Sequence, residues 1–221
     1  MTIRMSLDLF PETPAVTERK EPLAPGAVVL RAFARSGERT LIEALESVIR
    51  RSPFRCMTTP GGYRMSVAMT NCGDAGWVTD PSGYRYDALD PASAEPWPAM
   101  PQVFRELAAH AAAEAGFPAF VPDACLMSRY EPGARLSLHQ DKDEQDLESP
   151  IVSVSLGLPA VFLFGGQRRA ERPRRVPLIH GDVVVWGGPA RLRFHGVQPL
   201  EPGHHPMLGA CRINLSFRKV R

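Results

Sequence analysis

The chain has 221 residues, and its 26 Lys and Arg against 24 Asp and Glu leave a formal net charge of only +2. This balance excludes a protein that binds nucleic acid through its overall positive charge, so any such binding must come from local patches. A hydrophobic share of 44% is ordinary for a globular protein and excludes disorder over most of the chain.

In residues 1–51, the sequence pattern predicts a leader, a strand and a helix. Residues 1–26 are rich in proline and charge, which predicts a loose leader outside the core. The apolar run 27–33 predicts a short strand. Across 38–51, apolar residues recur at the spacing of one helical face, so we expect an amphipathic helix that Pro53 ends.

Residues 58–87 predict short strands and turns, and a second helix follows them. The segment 63–69 partly alternates between polar and apolar residues, which predicts a strand. The sequence DPSG at 80–83 predicts the turn of a hairpin. An apolar and alanine-rich face then predicts a helix over 102–115, ended by Gly116.

The C-terminal half is a succession of short strand-like runs separated by turn residues. Between residues 123 and 220 there are about seven such runs and no helical pattern, which predicts a β-sandwich or barrel. The predicted fold class is therefore α+β and mainly β, with the second helix packed on the β-core.

Cysteine usage and hydropathy predict a cytoplasmic protein. The four cysteines include no CxxC pair, and their spacing suits neither a disulfide framework nor a zinc site. No apolar run approaches the ~20 residues that span a bilayer, and the first residues lack the apolar core of a signal peptide.

A histidine and an aspartate form an H-x-D motif at the end of a predicted strand. Residues i and i+2 of a strand point to the same face, so His139 and Asp141 are expected to converge on one point. His195 could supply a third ligand. Two histidines and one carboxylate on one face of an octahedral metal are the arrangement of non-haem Fe(II) oxygenases. On this short motif alone, an ordinary strand-end pair remains the alternative.

Two arginines share one face of the last predicted strand. In CRINLSFRKV, the face that carries Arg212, Asn214 and Arg218 is polar, while the opposite face is apolar. The polar face could lie in water. If it faces the inside of a barrel, the two arginines require an anion, and a dicarboxylate suits the guanidinium fork.

An aromatic cluster and an arginine-rich segment suit an enzyme that acts on a nucleobase. Trp77, Tyr84 and Tyr86 lie within ten residues of each other and could stack on a base. A hairpin with its own small aromatic core is the alternative. The segment 168–175 holds five arginines, which could bind phosphates or simply be solvated.

Taken together, these motifs resemble the AlkB family of Fe(II)/2-oxoglutarate-dependent dioxygenases from about Leu7 to Arg218. The stretches that carry the resemblance are 59–73, 96–102, 122–144, 150–160, 180–188 and 211–218.

The resemblance implies a fold and a division of the chain. It implies a double-stranded β-helix, or jelly roll, with helices packed on it and an N-terminal nucleotide-recognition lid. The leader would occupy 1–26, the N-terminal extension and lid 27–95, and the catalytic core 96–221.

The resemblance also implies site residues. It implies Fe(II) bound by the H-x-D motif and the distant histidine, and 2-oxoglutarate held by the two arginines. Trp77 would stack on the base opposite His139, and Trp186 would be a second aromatic group near the iron. The implied iron ligands are His139, Asp141 and His195; the cosubstrate residues are Tyr130, Arg212, Asn214, Arg218 and Ser128; the substrate residues are Trp77, Tyr84, Tyr86, Asp143 and Arg169.

One implied cosubstrate residue departs from the family pattern. The family usually has Asn-Arg-Tyr where this chain has Ser128, Arg129 and Tyr130, so a hydroxyl replaces a longer amide. Ser128 could contact the cosubstrate through water or not at all.

The implied activity is oxidative demethylation of N-alkylated bases such as 1-methyladenine and 3-methylcytosine in DNA, with RNA as a further candidate. It would consume 2-oxoglutarate and O2 and release formaldehyde, succinate and CO2. The expected protein is a monomer without a membrane partner. Two alternatives remain: the same chemistry on a protein, lipid or small molecule, and a non-catalytic binding module.

Overall fold

A computed structural model describes residues 19–221 of the chain. In this part of the protein, thirteen strands and two α-helices form three sheets and their covering layer. The strands are β1 Arg19–Ala24, β2 Ala27–Arg31, β3 Ala68–Gly73, β4 Gly76–Asp80, β5 Gly83–Asp87, β6 Ala124–Tyr130, β7 Leu136–His139, β8 Ile151–Gly157, β9 Ala160–Phe164, β10 Arg174–Leu178, β11 Val183–Trp186, β12 His195–Val197 and β13 Arg212–Arg218. The helices are α1 Glu38–Arg51 and α2 Gln102–Glu114, with a short 3-10 helix at Gly188–Ala190.

The strands are arranged as a jelly roll, which confirms the predicted fold class. A seven-stranded sheet has the order β1-β2-β11-β8-β13-β6-β3, and a four-stranded sheet has the order β10-β9-β12-β7. Every pairing in both sheets is antiparallel. Neighbours that are distant in sequence show that the strands cross between the sheets, as in double Greek-key folds.

The two faces of the large sheet bury different cores. One face packs against both helices, through residues such as Leu45 of α1 and Phe104 of α2. The other face meets the small sheet, where Phe162 of β9 and Leu178 of β10 pack against Trp186 of β11. The helices therefore cover the sheet on the side opposite the small sheet and leave the space between the sheets to the candidate site.

The predicted leader is partly wrong. Residues 1–18 lie outside the described residues, but residues 19–24 form β1, an edge strand paired with β2. Gly26, at a φ of +77°, makes the turn between them. The charged residues that suggested a leader are used in ion pairs, because Arg31 binds both Glu21, at 2.8 Å, and Asp182, at 2.7 Å.

The hairpin prediction is confirmed, and the strand predicted for 63–69 is partly wrong, because only residues 68 and 69 of this segment belong to a strand. Strands β4 and β5 flank the predicted turn and form a two-stranded sheet of their own. Strand β3 begins only at Ala68, because residues before it fold back in a tight loop bridged between Thr58 and Arg64. Gly62 supplies the positive φ, +82°, that this loop requires.

The residues 19–221 contain no helix that is both long and apolar enough to cross a membrane. All four cysteines lie in this region and are free thiols. Cys72 of β3 lies directly opposite Cys125 of β6, and both are fully buried.

The buried His180 links the turn between β10 and β11 to helix α1. Its Nδ1 accepts a hydrogen bond from the Gly157 N–H at 2.9 Å, and its Nε2 lies 3.0 Å from Glu38 Oε2. The ring stacks on His205 with 4.2 Å between centroids. Burial, followed by the charges of His205 and Arg35, lowers the pKa of His180 below its usual value, while Glu38 partly opposes this.

Because the pKa values of His180 and His205 are lowered, we expect the folded protein to lose stability in mild acid. Because burial also lowers the pKa of His205, the unfolded chain binds more protons than the folded one as the pH falls through about 6.5. We expect the free energy of unfolding to fall between about pH 7.5 and 5.5, and to fall less in His205→Gln. Denaturant titrations at both pH values test this, with His204→Gln, an exposed neighbour, as the control. An equal pH dependence in His205→Gln and the native chain would contradict it.

Candidate active site

Strand pairing brings the two distant histidines together. His139 ends β7, and His195 begins β12, directly opposite it in the antiparallel ladder. Their ring centroids are 4.4 Å apart. Asp141 follows two residues after β7, and the ligand atoms of all three residues lie within 4.8 Å of one another. The sequence predicted this cluster from H-x-D and one remote histidine.

Backbone carbonyls orient both imidazole rings. His139 Nδ1 lies 2.9 Å from the carbonyl oxygen of Ser137, and His195 Nδ1 lies 3.1 Å from that of Arg193. Since a carbonyl only accepts, Nδ1 carries the proton in each neutral ring. The lone pair on each Nε2 is then free and lies on the side of Asp141. The Nε2 of His139 is 3.5 Å from Asp141 Oδ1, and the Nε2 of His195 is 3.7 Å from Asp141 Oδ2. Fixing the ring in this way is how proteins prepare metal-binding histidines.

The cluster is buried and strongly polarised. Burial opposes ionisation of Asp141, but the charge of Arg218, followed by interactions with His195 and His139, holds the pKa of this carboxyl well below its usual range. Burial, followed by the charge of His139, lowers the pKa of His195 to about 4. An ionised carboxylate and a neutral imidazole are the forms that bind a divalent metal.

Strand β13 separates the helix-facing core from a cavity of about 740 Å³. All seven of its residues are buried, so the polar face does not lie in water. Its three apolar residues pack on the helix side, and its four polar residues line the cavity together with the histidine cluster. The cavity-facing residues are Arg212, Asn214, Ser216 and Arg218.

The buried guanidinium groups fit an anionic cosubstrate. Arg212 donates to Ser155 Oγ at 3.0 Å, but its Nε and Nη1 are buried without a hydrogen-bond partner. The Nη1 of Arg218 is likewise buried and without a partner. Burial lowers the pKa of Arg212. A buried cation with free donors is costly unless an anion completes it, and a dicarboxylate between two such arginines would do so.

The other implied cosubstrate residues surround Arg212. The ring centroid of Tyr130 lies 5.2 Å from the guanidinium carbon of Arg212. Asn214 donates to Ser153 Oγ at 2.8 Å and accepts from Ser216 Oγ at 2.8 Å. Ser128, opposite Asn214 in the β6–β13 ladder, also lines the cavity. A buried serine hydroxyl therefore lines the cavity at the position where the family pattern has an amide.

Aromatic residues of the β4–β5 hairpin form one wall of the cavity mouth. Trp77 and Tyr84 stack with 5.7 Å between centroids, and the Trp77 indole N–H donates to Asp143 Oδ2 at 2.9 Å. Tyr86 donates its hydroxyl to Glu144 Oε1 at 2.7 Å. All five residues line the cavity. The aromatic groups thus face the cavity and do not form a separate hydrophobic core for the hairpin.

The arginine-rich segment only partly faces the site. Arg169 lines the cavity mouth, with its guanidinium carbon 6.0 Å from the Phe194 ring centroid. Arg174 and Arg175 point elsewhere, because they bind Glu21 and Gln198 respectively. The number of arginines in the segment could not show which of them line the cavity and which bind other residues.

Sequence reasoning missed two buried charges in the site. Glu144 and Arg191 are paired at 3.1 Å and almost fully buried. Arg191 also donates to the backbone oxygens of Asp141, at 2.7 Å, and Ser149, at 3.0 Å. Glu144 lies in the acidic run DKDEQDLE at 141–148, a composition typical of a solvated loop, so only its position three residues after Asp141 could have singled it out.

Trp186, which the resemblance places near the iron, is buried. Among residues 19–221, its indole nitrogen has no hydrogen-bond partner. It packs on His195 with 5.0 Å between centroids and lines the cavity. It therefore supports the back of the histidine cluster.

Comparisons with known proteins agree with this geometry. A sequence model of the 2OG-Fe(II) oxygenase superfamily matches residues 26–218. The alpha-ketoglutarate-dependent dioxygenase AlkB of Escherichia coli (strain K12) is 58% identical over 214 residues, which is 97% of this chain and 98% of the relative. The DNA N(6)-methyladenine demethylase ALKBH1D of Arabidopsis thaliana is 42% identical over 118 residues, which is 48% of this chain and 26% of the relative.

The fold has a similar solved counterpart. The structure of OsALKBH1 superposes with a TM-score of 0.78 at 30% identity and covers 91% of this chain and 100% of that one. The family match spans both the β13 arginines and the histidine cluster. The chain therefore belongs to the 2OG-Fe(II) oxygenase superfamily and, within it, to the AlkB dioxygenases.

Proposed function

We propose that this dioxygenase removes methyl groups from alkylated nucleobases, such as 1-methyladenine and 3-methylcytosine, in DNA. The observation that carries the proposal is the position of the Trp77 indole at the mouth of the same cavity that holds His139 and Asp141. An enzyme that acts on a base must take it out of the helix and hold it between flat groups. Trp77 and the His139 ring would provide the two sides of such a slot.

His139, Asp141 and His195 would bind Fe(II), with both histidines coordinating through Nε2. The unpaired donors of Arg212 and Arg218 would hold the carboxylates of 2-oxoglutarate, supported by Tyr130 and Asn214. Bound Fe(II), with 2-oxoglutarate and O2, supplies the oxidation that hydroxylates the N-methyl group, so that formaldehyde leaves together with succinate and CO2.

The carboxylate of Asp143 would select the substrate. It is held by the Trp77 indole N–H, so its free oxygen lies beside the base-stacking surface. A carboxylate there favours a cationic methylated base and accepts a hydrogen bond from an exocyclic amine. Arg169 at the cavity mouth would bind a phosphate of the same strand.

The partner of this site is then a nucleic acid strand. A relative that shares 42% identity over half of this chain is named as a DNA demethylase, which supports this partner class. We further propose a cytoplasmic monomer whose lid lies within 27–95 and whose catalytic core lies within 96–221, with β2 and β3 of the N-terminal part completing the large sheet of the core.

The direct test is oxidation of a short single-stranded oligonucleotide with one 1-methyladenine by the protein, Fe(II), 2-oxoglutarate and O2. Mass spectrometry should show loss of one CH2 unit that requires both iron and 2-oxoglutarate. Succinate without repair would overturn the proposed substrate and direct the search to RNA, protein or small molecules. Neither product would favour the non-catalytic module.

Trp77→Ala should weaken the use of the oligonucleotide without preventing cosubstrate binding. Loss of one base-stacking surface, worth about 1–3 kcal/mol, corresponds to a roughly 5- to 150-fold fall in kcat/KM. The measurement is steady-state repair beside the rise in melting temperature with Mn(II) and 2-oxoglutarate, which should persist. Trp77→Phe, which keeps a stacking ring, should recover part of the activity. Unchanged kcat/KM in Trp77→Ala would contradict the assigned slot.

A further inference from the structure

Asn71 of β3 binds the backbone of Trp77, the residue that carries the proposed stacking surface. The Oδ1 of Asn71 accepts from the Trp77 N–H at 3.0 Å, and its Nδ2 donates to the Trp77 carbonyl oxygen at 3.1 Å. Asn71 is only 2% exposed. One buried amide therefore satisfies both backbone groups of a single residue, as a neighbouring strand would.

This amide joins the backbone of the hairpin to the jelly roll. Trp77 lies opposite Tyr86 in the β4–β5 ladder, but its N–H and C=O bind Asn71 on the other side of the strand. Within residues 19–221, no other hydrogen bond joins the backbone of β4 to the large sheet. The position of the Trp77 backbone relative to the cavity therefore depends on Asn71.

The amide of Asn71 is tightly packed against the start of β4. It lies on the face of β3 that also carries Met69, a cavity-lining residue. Gly76 begins β4 directly beside it. An added Cβ on this glycine would lie 2.7 Å from Asn71 Cγ and 2.4 Å from a ring atom of Trp97. Since only glycine fits at this position, any shift of the amide is transmitted to the next residue, Trp77.

The other attachment of Trp77 is weaker. Its indole N–H donates to Asp143 Oδ2 at 2.9 Å in an exposed part of the site. Water competes for an exposed hydrogen bond, whereas a buried amide and the peptide groups that it binds lose their only partners when they are separated. The plane of the indole is therefore fixed chiefly from its backbone, by Asn71.

Resting on the proposed function, we propose that Asn71 is a positioning residue that sets the Trp77 indole at the distance from His139 that a flipped base requires. Asn71 is not among the residues that line the cavity, so it acts through Trp77. A displaced stacking ring would hold the base out of line with the oxidising centre. Loss of the amide should therefore lower kcat/KM for the oligonucleotide and leave cosubstrate binding intact.

The test introduces Asn71→Leu, which has a similar volume but no polar atoms, into both the native chain and Trp77→Ala. Steady-state repair of the 1-methyladenine oligonucleotide should show a roughly tenfold fall in kcat/KM in the native chain. In Trp77→Ala the same substitution should lower kcat/KM by less than about twofold, because the ring that Asn71 positions is already absent. The rise in melting temperature with Mn(II) and 2-oxoglutarate should persist in every variant.

The matched control is Thr70→Val, on the same strand. Thr70 is 1% exposed and donates to the Ser52 carbonyl oxygen at 2.8 Å, on the face of β3 away from the hairpin. Its substitution should lower the melting temperature but leave kcat/KM unchanged. If Asn71→Leu does not fold, Asn71→Ser leaves room for a bridging water and should show a smaller fall in kcat/KM with the same dependence on Trp77.

A second measurement requires no nucleic acid. The near-ultraviolet circular dichroism signal that disappears in Trp77→Phe reports the fixed packing of that indole. Asn71→Leu should lose most of this signal, and Thr70→Val should keep it. An unchanged signal in Asn71→Leu, an unchanged kcat/KM, or an equal fall in kcat/KM with and without the Trp77 ring would overturn the proposal.

Failure of the proposed function would give a different result. If Trp77→Ala alone left repair unchanged, the stacking slot would be wrong. The circular dichroism of Asn71→Leu would then decide by itself whether Asn71 fixes the indole.

Discussion

Asp141→Ala is expected to abolish both turnover and the stabilisation of the protein by Mn(II). Asp141 is the only acid of the proposed ligand set, and both histidines direct a free nitrogen to it. Without it the site keeps two neutral ligands, so 2-oxoglutarate turnover should fall by more than about 1,000-fold. Succinate formation and thermal melting with Mn(II) measure the two effects.

The same substitution should also lower the melting temperature of the metal-free protein. Arg218 would lose one of its two acidic partners, and breaking a buried pair costs about 3–5 kcal/mol when no other partner remains. Glu144 remains at 3.1 Å, so a smaller loss is expected and the protein should still fold.

The control for this prediction is Asp143→Ala, which removes a neighbouring carboxylate outside the proposed ligand set. It should retain the Mn(II)-dependent rise in melting temperature. If Asp141→Ala still formed succinate, the assignment of Asp141 as an iron ligand would be contradicted.

Arg212→Met is expected to make the protein without cosubstrate more stable and unable to bind 2-oxoglutarate. Two of the three guanidinium nitrogens of Arg212 are buried without a partner, and the side chain is fully enclosed. Replacing a buried, incompletely paired charge with an apolar side chain of similar length removes this penalty, and such replacements stabilise proteins by about 1–4 kcal/mol. For a protein of this size, that corresponds to a rise in Tm of roughly 2–15 °C.

The matched variant is Arg218→Met, and the sign should be opposite. Arg218 is bound to both Asp141 and Glu144, and these charges raise its pKa although burial alone would lower it. Its removal leaves two buried carboxylates without their cation, so the melting temperature should fall.

Thermal melting of both variants, with Mn(II) and increasing 2-oxoglutarate, tests the predictions for Arg212→Met and Arg218→Met. Native protein at 100 times the dissociation constant should gain about 2.7 kcal/mol, and Arg212→Met should gain nothing from 2-oxoglutarate. A lower melting temperature for metal-free Arg212→Met would mean that Arg212 is already satisfied by the fold.

The alternation of polar and apolar residues allowed the two faces of β13 to be predicted from the sequence. A period of two assigns Arg212 and Asn214 to one face and Ile213 to the other, whichever way the strand faces. Likewise H-x-D placed His139 and Asp141 together. The helix over 38–51 was equally clear, because its apolar positions follow one helical face and α1 has the same bounds.

What the sequence could not show depends on contacts between distant segments. The charges of 19–24 suggested a solvated leader, and only their pairing with Arg31 and Arg174 explains why the segment is a strand. Glu144 looked like part of a solvated acidic loop because neither Arg191 nor Tyr86 is near it in sequence. A buried charge is recognisable only once its partner is known.

The β4–β5 hairpin is a two-stranded sheet that shares no ladder with the jelly roll. The proposed oxidising centre therefore lies on the two sheets of the jelly roll, with the arginines on β13 and the histidines on β7 and β12, while the proposed stacking contact with the base lies on the hairpin. We therefore expect substitutions within 76–87 to change which base is accepted with little effect on the oxidising centre. A family built in this way can diversify its substrates by altering about a dozen residues and leaving the catalytic framework intact.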